Sequence, residues 1–321
     1  MFSKESPLIE CVPNFSEGRN KLIIEAIANS INQVAGVKLL HTDIGYDANR
    51  TVYTFAGNPD AVLEAAYNAI QVAANLIDMR KQQGEHPRMG ACDVCPFIPL
   101  QNISMTDTVA LSLKLAQKLG DNGIPVYLYE NSAKKPERKN LSFIRKGEYE
   151  AIPEKMLLPE WKPDFGPQLF VPSFGMMALG ARNFLIAYNI NLTTKDEQIA
   201  KQIAKQIRAI RNKNDGSYLS SLFQNVKAIG WYMEEFNCAQ ISTNISDIYK
   251  SPIIEVFTAI QHIAKKYNTN TNGSELVGLI PLNALTHPTI TVEEAITYLG
   301  LNSVKEFSKE KNIIEYKLYN N

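Results

Sequence analysis

Apolar residues follow two different spacings along the first half of the chain. Short unbroken runs bounded by Pro, Asn or Gly are typical of β-strands, whereas apolar residues three and four positions apart are typical of helices that bury one face. The strand-like runs cover residues 8–12, 37–40, 51–55, 92–98 and 124–129. Helices are predicted from about Asn20, from Asn58 with Pro59 in the first turn, and from Ser104 with Asp107 as its capping-box partner.

The second half of the chain repeats this order of elements. Its strand-like runs cover residues 184–190, 226–232, 239–245 and 275–280. Helices are predicted from Thr194, Pro252 and Thr291, and both threonines have a Glu three residues later, which is the spacing of a capping box. Both halves therefore follow the order β-α-β-β-α-β of a ferredoxin-like unit. We predict an α+β protein with two ferredoxin-like subdomains, residues 1–180 and 181–321, each a sheet covered by helices on one side.

Composition and charge narrow the class of protein. The 321 residues carry 33 Lys and Arg against 33 Asp and Glu, so the basic excess typical of a nucleic-acid-binding protein is absent. No apolar run approaches the ~20 residues that span a bilayer, and residues 1–7 lack the apolar stretch of a signal peptide. We therefore expect a cytoplasmic protein that binds neither nucleic acid nor membrane.

Two cysteines, Cys92 and Cys95, have the spacing of a redox motif or of half a zinc site. No second such pair and no nearby His completes a tetrahedral ligand set, and the segment continues into a strand-like run. We expect the cysteines to be ordinary buried thiols and predict no metal site.

His86 is the histidine whose surroundings indicate catalysis. It lies in the segment Gly84-Glu85-His86-Pro87-Arg88-Met89-Gly90, between a predicted helix and a predicted strand. Pro87 favours an extended conformation at His86, and the two glycines allow the backbone to turn tightly and to approach a ligand. An imidazole has an unperturbed pKa of about 6.5, which suits proton transfer near neutral pH. The alternative is a His-Pro turn with a purely structural role.

Asp43 is the best candidate for a residue that orients His86. It follows a predicted strand in the polar segment 42–50, which leads through Arg50 into the next strand. An acidic residue that orients a His is the recurring arrangement of general-base catalysis. The alternative is an ordinary turn rich in Asp and Asn. The other histidines, to which no catalytic role is assigned, are His41, His262 and His287.

Residues 161–175 are rich in Pro, Gly and aromatic residues and fit neither helix nor strand. They lie between the two predicted halves, so they form either a plain linker or a ligand-binding loop at a domain boundary, where clefts often occur. The sequence contains no phosphate-binding loop, dinucleotide fingerprint, nucleophile elbow or zinc-protease motif. Nucleotide-driven chemistry and zinc hydrolysis are therefore not supported.

Several segments together resemble the formimidoyltransferase family. They are Cys11-Val12-Pro13-Asn14-Phe15-Ser16-Glu17-Gly18, Asn49-Arg50-Thr51-Val52-Tyr53-Thr54-Phe55, Gly84 to Gly90, Asp164-Phe165-Gly166-Pro167 and Gly230-Trp231-Tyr232. These motifs are long and ungapped, and they run through nearly the whole chain. In animals this transferase is the first part of a bifunctional formimidoyltransferase-cyclodeaminase, and the resemblance here implies a version without the cyclodeaminase part.

The resemblance implies transfer of a formimidoyl group between N-formimidoyl-L-glutamate and tetrahydrofolate, giving 5-formimidoyltetrahydrofolate and L-glutamate, in histidine degradation. Tetrahydrofolate is then a co-substrate, and a homodimer is expected. His86 matches the family's catalytic histidine, and Asp43 matches an acidic residue near it. The resemblance assigns a folate-contacting loop to Gly166, Pro167, Gln168, Leu169, Phe170, Val171, Pro172, Ser173, Phe174 and Gly175.

The chemistry of the residues agrees with this reaction. The folate nitrogen loses a proton as it attacks the amidine carbon and the departing glutamate nitrogen gains one, so a single imidazole could serve both steps. Glutamate carboxylates call for cations, although each candidate arginine could instead form a structural ion pair. The candidates are Arg50, Arg88 and Arg182. Aromatic rings for an apolar folate cleft are offered by Phe165, Phe170 and Phe174.

Two other functions fit the same residues. Formyl transfer between folate and glutamate differs by O against NH at one position, so a single donor or acceptor in the pocket would decide between them. Two ferredoxin-like units could also form a small-molecule-binding protein without catalysis. That alternative predicts binding without turnover and tolerates the loss of His86.

Overall fold

The chain divides into two compact units, Met1–Arg182 and Asn183–Asn321, in a computed structural model. The structure describes residues 5–208, 210–211, 218–220 and 222–319. Residues 1–4 therefore lie outside the described part of the chain. They belong to the segment 1–7, which was considered as a signal peptide above.

Strands and helices alternate through the first unit. In chain order they are β1 (Leu8–Cys11), β2 (Asn14–Phe15), α1 (Lys21–Asn32), β3 (Val37–Gly45), β4 (Arg50–Gly57), α2 (Pro59–Leu76), β5 (Cys92–Gln101), α3 (Met105–Asp121), β6 (Val126–Leu128), α4 (Leu141–Arg145), α5 (Ile152–Lys155) and β7 (Met177–Ala181). The second unit continues with β8 (Ile186–Leu192), α6 (Glu197–Ile207), β9 (Ile210–Arg211), β10 (Tyr218–Ser220), β11 (Val226–Met233), β12 (Cys238–Ile245), α7 (Ile253–Lys266), β13 (Thr271–Val277), α8 (Val292–Tyr298), α9 (Lys309–Asn312) and α10 (Ile314–Tyr319).

The first sheet contains a ferredoxin-like arrangement with an extension. Strand β4 lies between β3 and the pair β1 and β2, and β5 lies on the other side of that pair, all antiparallel. The sheet then continues through β7 and β6, which run parallel to β5. Parallel neighbours require a crossover connection, and α3 provides it between β5 and β6.

The second unit has the same strand order without that extension. Strand β8 lies between β12 and β13, and β11 flanks β12, with all neighbours antiparallel. Helix α6 follows β8, and α7 connects β12 to β13. The prediction of an α+β protein with two ferredoxin-like units is confirmed.

The spacing of apolar residues along the helices explains the main core of the first unit. Ile24, Ile27 and Ile31 lie on one face of α1 and are buried against the sheet with the inner faces of α2 and α3. Each such side chain contributes roughly 1.5–3 kcal/mol when it is fully buried. A smaller cluster on the opposite face joins Tyr127 of β6 to α4 and α5 through Ile144 and Ile152. Helices thus cover part of the second face as well.

The ends of several helices follow the predicted caps. Ser104 forms a capping box with Asp107 at α3, and Thr291 forms one at α8. Asn20, near which a helix was predicted to begin, caps α1, whereas Asn58 precedes α2 without a side-chain capping bond. The predicted capping box at Thr194 is wrong. Asp196 caps α6 instead, because its carboxylate accepts a bond from Gln198 N at 2.8 Å and carries the negative charge that a helix N-terminus favours.

Two differences from the predicted strands have a clear physical cause. Strand β3 continues to Gly45 because it forms a hairpin with β4, so Asp43 lies within a strand and not in a loop. Strand β7 was not predicted, because alanine and glycine are weak strand formers. The sheet requires glycine at position 180, since a Cβ there would lie 2.3 Å from Tyr129 O.

Candidate active site

The segment that carries His86 lies against the turn between β3 and β4. Glu85 N donates a hydrogen bond to Asp47 O at 3.1 Å. Gly84 allows this approach, because a Cβ at that position would lie 2.3 Å from Ala48 O. The two sequence segments predicted to hold the catalytic base and its partner therefore meet in space.

The same segment pairs with the end of loop 166–175. Met176 N donates to Met89 O at 2.9 Å. Gly175 has φ +81°, and a Cβ there would lie 2.2 Å from Met89 O, so both the backbone conformation and the space require glycine. Backbone contacts therefore tie the His86 segment to the predicted folate loop.

The imidazole of His86 is half-buried, and both ring nitrogens have neighbours. Nδ1 lies 2.7 Å from Pro87 O, which can only accept, so this contact assigns the proton to Nδ1 and the lone pair to Nε2. Arg50 Nη1 lies 2.5 Å from Nε2 and 2.8 Å from Nδ1. The guanidinium therefore lies against the ring, close to both of its nitrogens.

Electrostatics keep this imidazole neutral. Burial lowers the pKa of His86, and the positive charge of Arg50 lowers it further. The bond to Pro87 O and the Asp93 carboxylate raise it, but the net shift is downward. Burial also lowers the pKa of Arg50 to about 10, so that side chain is still charged at neutral pH. The site therefore pairs a neutral base with a cation.

A buried ion pair between Asp93 and Arg145 adjoins the site. Arg145 Nη2 donates to Asp93 Oδ2 at 2.5 Å, and Asp93 Oδ1 accepts from Met89 N at 3.0 Å. The charges of both partners act on the pKa values of His86 and Arg50. Sequence reasoning missed this pair. The available signal was a charged residue inside the apolar run that forms β5.

Asp43 is exposed on β3, opposite Val52 of β4. Among the described residues, no hydrogen bond or ion pair joins its carboxylate to His86. Its charge instead raises the pKa of Arg50, so Asp43 acts on the guanidinium beside the imidazole. Its role as an orienting residue stays a prediction.

The three arginines predicted to bind glutamate have different surroundings. Arg88 pairs with Glu150 at 2.8 Å, so its guanidinium is already occupied. Arg182 is hydrogen-bonded to Tyr129. Arg50 contacts the His86 ring and forms no ion pair with an acidic residue in the described ranges. Of the three, Arg50 is the best placed to receive a carboxylate near the imidazole.

Loop 166–175 is part of the first unit and not a linker between units. Val126 N donates to Phe165 O at 2.9 Å, and β7 follows the loop directly. The expectation that Phe174 lines a cleft is wrong, since its ring is 2% exposed in the main core. The backbone enters the sheet there, where Ala91 N donates to Phe174 O at 2.8 Å. The exposed side chains of the loop are Gln168, Leu169 and Pro172.

Two contacts hold this loop in place. Arg138, whose side chain is 1% exposed, pairs with Asp164 at 2.7 Å just before the loop begins. The Tyr149 hydroxyl donates to Pro172 O at 2.6 Å, and its ring packs against Phe170 at a centroid distance of 5.5 Å. The loop is therefore supported at its start and along its length.

A cleft of about 390 Å³ opens beside the His86 segment. Its lining includes Arg19, Asp47, Gln83, Gly84 and Glu85. A larger cleft of about 930 Å³ lies in the second unit beside α7, and the residues predicted for catalysis do not line it. The titratable groups around His86, rather than cavity size, therefore locate the candidate site.

In the described part of the chain, the cysteines and His262 form no cluster of titratable groups like the one around His86. The four cysteines are buried free thiols, as predicted, and burial raises the pKa of Cys11 and Cys92, which makes them poor nucleophiles. His262 is exposed on α7. Within the described ranges, no group of His, Cys, Asp and Glu could hold a metal ion. None of the helices described has the length and apolar character needed to cross a bilayer.

The sequence matches two profiles of one family. The profile "Formiminotransferase domain, N-terminal subdomain" matches residues 8–182, and "Formiminotransferase domain" matches residues 187–290. The chain belongs to the formiminotransferase domain family. His86, Arg50 and loop 166–175 all lie within the range of the N-terminal profile.

Named relatives of this formiminotransferase-family chain fall into two groups. The glutamate formimidoyltransferase of Streptococcus pyogenes serotype M1 is 39% identical over 97% of this chain and 98% of that protein. That of Thermoplasma acidophilum is 40% identical over 97% of each. The formimidoyltransferase-cyclodeaminase of Rattus norvegicus is 46% identical over 97% of this chain. The chain spans 60% of the length of that bifunctional relative.

Proposed function

We propose that this protein is a glutamate formimidoyltransferase, which transfers the formimidoyl group between N-formimidoyl-L-glutamate and tetrahydrofolate. The products are 5-formimidoyltetrahydrofolate and L-glutamate. The observation that carries the proposal is the neutral imidazole of His86, beside Arg50 and in a segment paired with loop 166–175. The names of the relatives that align over nearly their whole length support the same reaction.

His86 acts first as a base and then as an acid. As the folate nitrogen bonds to the carbon of the protonated amidine, the C=N π electrons move to the amidine nitrogen, and the folate proton passes to the lone pair of His86 Nε2. The imidazolium that results faces the charge of Arg50, which makes it a stronger acid. It then gives the proton to the glutamate nitrogen as the bond between that nitrogen and the amidine carbon breaks and the C=N bond of the protonated amidine forms again on the folate. The reaction ends with the imidazole neutral again.

Binding supplies the rest of the acceleration. The transfer joins two bound substrates without a covalent enzyme intermediate, so holding them in attack geometry can contribute about 7–11 kcal/mol. Loop 166–175 contacts the folate through its exposed side chains, and Arg50 receives a carboxylate of the glutamate donor. Asp43 supports the charge of Arg50 from β3.

The setting of the reaction follows from the same assignment. Tetrahydrofolate is a co-substrate, and the proton transfers described use only side chains of this chain, so no metal ion is invoked. We place the reaction in histidine degradation and one-carbon metabolism, in the cytoplasm, and expect a homodimer.

A direct assay tests the proposal. Purified protein is mixed with N-formimidoyl-L-glutamate and tetrahydrofolate, and the folate absorbance is followed, with N-formyl-L-glutamate as a second donor. We expect turnover with the formimidoyl donor, its loss in His86→Ala, and an unchanged rate in His262→Ala, which removes an exposed imidazole. Turnover with only the formyl donor would favour formyl transfer. Binding of both substrates without turnover would contradict an enzymatic function.

A further inference from the structure

Arg145 carries an unused hydrogen-bond donor beside the His86 site. Its Nη2 is bonded to Asp93, but its Nε is buried and has no hydrogen-bond partner in the part of the chain that the structure describes. Buried polar groups in proteins are nearly always paired. A buried guanidinium N–H without a partner is therefore the kind of group that a bound ligand satisfies.

The charges around this donor are unbalanced. Arg50 and Arg145 are two guanidiniums that act on each other and on the His86 ring. Asp93, which is 2% exposed, is the buried carboxylate that faces them, while Asp43 is exposed to solvent on β3. One positive charge is left over at the buried side of the site. A ligand carboxylate would balance it.

The chemistry of the glutamate donor places a carboxylate at this point. Its departing nitrogen is bonded to the α-carbon, and the same carbon carries the α-carboxylate. When His86 reaches that nitrogen, the α-carboxylate must lie within a few ångströms of the imidazole. The cations that bind it must therefore stand beside His86, whereas those that bind the γ-carboxylate lie further away.

We propose that Arg50 and Arg145 together bind the α-carboxylate of the glutamate substrate, and that Asp93 is the positioning residue that holds Arg145. This assignment rests on the proposed transferase function. It identifies Arg145, on α4, as a binding residue that the sequence motifs did not include.

The arrangement also links donor binding to the release of the base. Arg50 Nη1 lies 2.5 Å from His86 Nε2 and 2.8 Å from Nδ1, so the guanidinium crowds both ring nitrogens. A carboxylate accepts a stronger, charge-assisted bond from a guanidinium than a neutral imidazole does. Binding of the α-carboxylate therefore turns the Arg50 donors from the ring to the carboxylate and leaves Nε2 free to take the folate proton, while the guanidinium stays beside the imidazole.

Arg145→Lys tests the binding role, because lysine keeps the charge that faces Asp93 but removes the Nε donor. We expect the KM for N-formimidoyl-L-glutamate to rise about tenfold or more, the loss that follows from one charge-assisted bond. The KM for tetrahydrofolate should stay unchanged. Arg208→Lys is the matched control, since Arg208 is exposed at the end of α6 in the second unit.

A second donor isolates the α-carboxylate. N-formimidoyl-4-aminobutyrate keeps the γ-carboxylate and the formimidoyl group but lacks the α-carboxylate. In the wild type, kcat/KM should be lower for this analogue, and Arg145→Lys should lower kcat/KM for the glutamate donor alone. Equal losses with both donors, or an effect confined to the folate KM, would overturn the assignment.

Calorimetry separates failure of this inference from failure of the proposed function. Binding of L-glutamate and of 4-aminobutyrate is measured with the wild type and with Arg145→Lys, without turnover. If neither formimidoyl donor reacts, the transferase proposal fails, while preferential binding of L-glutamate that weakens in Arg145→Lys would still support the anion site. L-glutamate binding of equal strength in the two proteins would overturn it.

Discussion

An imidazole held beside a guanidinium loses part of its proton affinity, because its charged form faces a second positive charge. In this protein Arg50 Nη1 lies 2.5 Å from His86 Nε2, and burial acts in the same direction on the pKa. Arg145 adds to the lowering, and Asp93 opposes it. His86 therefore stays unprotonated at lower pH than a free histidine, which is the state that a general base requires.

Replacing Arg50 by methionine should raise the pKa of His86, since the imidazolium then loses its closest positive neighbour. The acid limb of the pH profile of kcat/KM, which reports the free enzyme, should move to higher pH. The measurement compares this profile in wild type, Arg50→Met and Arg208→Met. An acid limb that stays in place, or moves to lower pH, in Arg50→Met would contradict the electrostatic role of Arg50.

Sequence reasoning selected His86 as the candidate base because the residues next to it in the chain constrain its backbone. Pro87 and the flanking glycines constrain the backbone at and around that residue, and this needs no knowledge of the fold. Arg145 could not be found in this way. It reaches the site through its bond to Asp93, 52 positions earlier in the chain, and the packing of α4 sets that contact.

At the scale of elements, the position of loop 166–175 depends on close backbone approach at its end. Gly175 and Gly123 have nearly equal φ values, +81° and +80°, but differ in the space around them. A Cβ on Gly175 would lie 2.2 Å from Met89 O, whereas nothing lies within 4 Å of a Cβ on Gly123. The two positions therefore separate backbone strain from steric conflict.

Gly123→Ala should lower the free energy of unfolding by about 1–2 kcal/mol, the cost of a left-handed conformation in an L-residue. Gly175→Ala should lower the free energy of unfolding by that amount and by about 1–3 kcal/mol more, because Met89 must move. Urea unfolding of both variants measures the difference. Equal losses would show that the contact at Gly175 is not close, and with it that the loop is not tied to the His86 segment.

The ion pair between Arg138 and Asp164 gives a second test of loop support. Arg138→Met leaves the Asp164 carboxylate buried without its cation, which should cost about 3–5 kcal/mol of unfolding free energy. Adding Asp164→Asn should recover part of that loss, because the amide oxygen can still accept from Leu128 N. The free energy of unfolding is measured in urea for the wild type, both single variants and the double variant, which together form a double-mutant cycle. Losses that simply add would contradict a direct interaction.

Local patterns were sufficient for elements whose residues have a strong intrinsic preference. Helical spacing and caps located α1, α2 and α3, since these signals lie within the elements themselves. Strand β7 and the end of β3 were not predicted, and each omission has a physical reason. Glycine at position 180 of β7 is imposed by the close approach of Tyr129 O, and the polar end of β3 is stabilised by pairing with β4.

At the scale of the whole molecule, the repeated order of elements was enough to predict two ferredoxin-like units. It did not predict the parallel extension through β6 and β7, because that depends on a crossover that places β7 between β5 and β6. The chain has no net charge, yet the His86 site has two guanidiniums against one buried carboxylate. Attraction for an anionic donor is therefore a property of the site and not of the protein surface as a whole.

The central claim is that His86 carries one proton between the folate nitrogen and the glutamate nitrogen during formimidoyl transfer. The most direct measurement is kcat for N-formimidoyl-L-glutamate and tetrahydrofolate in wild type, His86→Ala and His262→Ala, with the urea midpoint of each protein as a check on folding. We predict turnover by wild type and His262→Ala, and a loss of about 10²- to 10⁴-fold in a fully folded His86→Ala. A folded His86→Ala that turns over at the wild-type rate would contradict the claim.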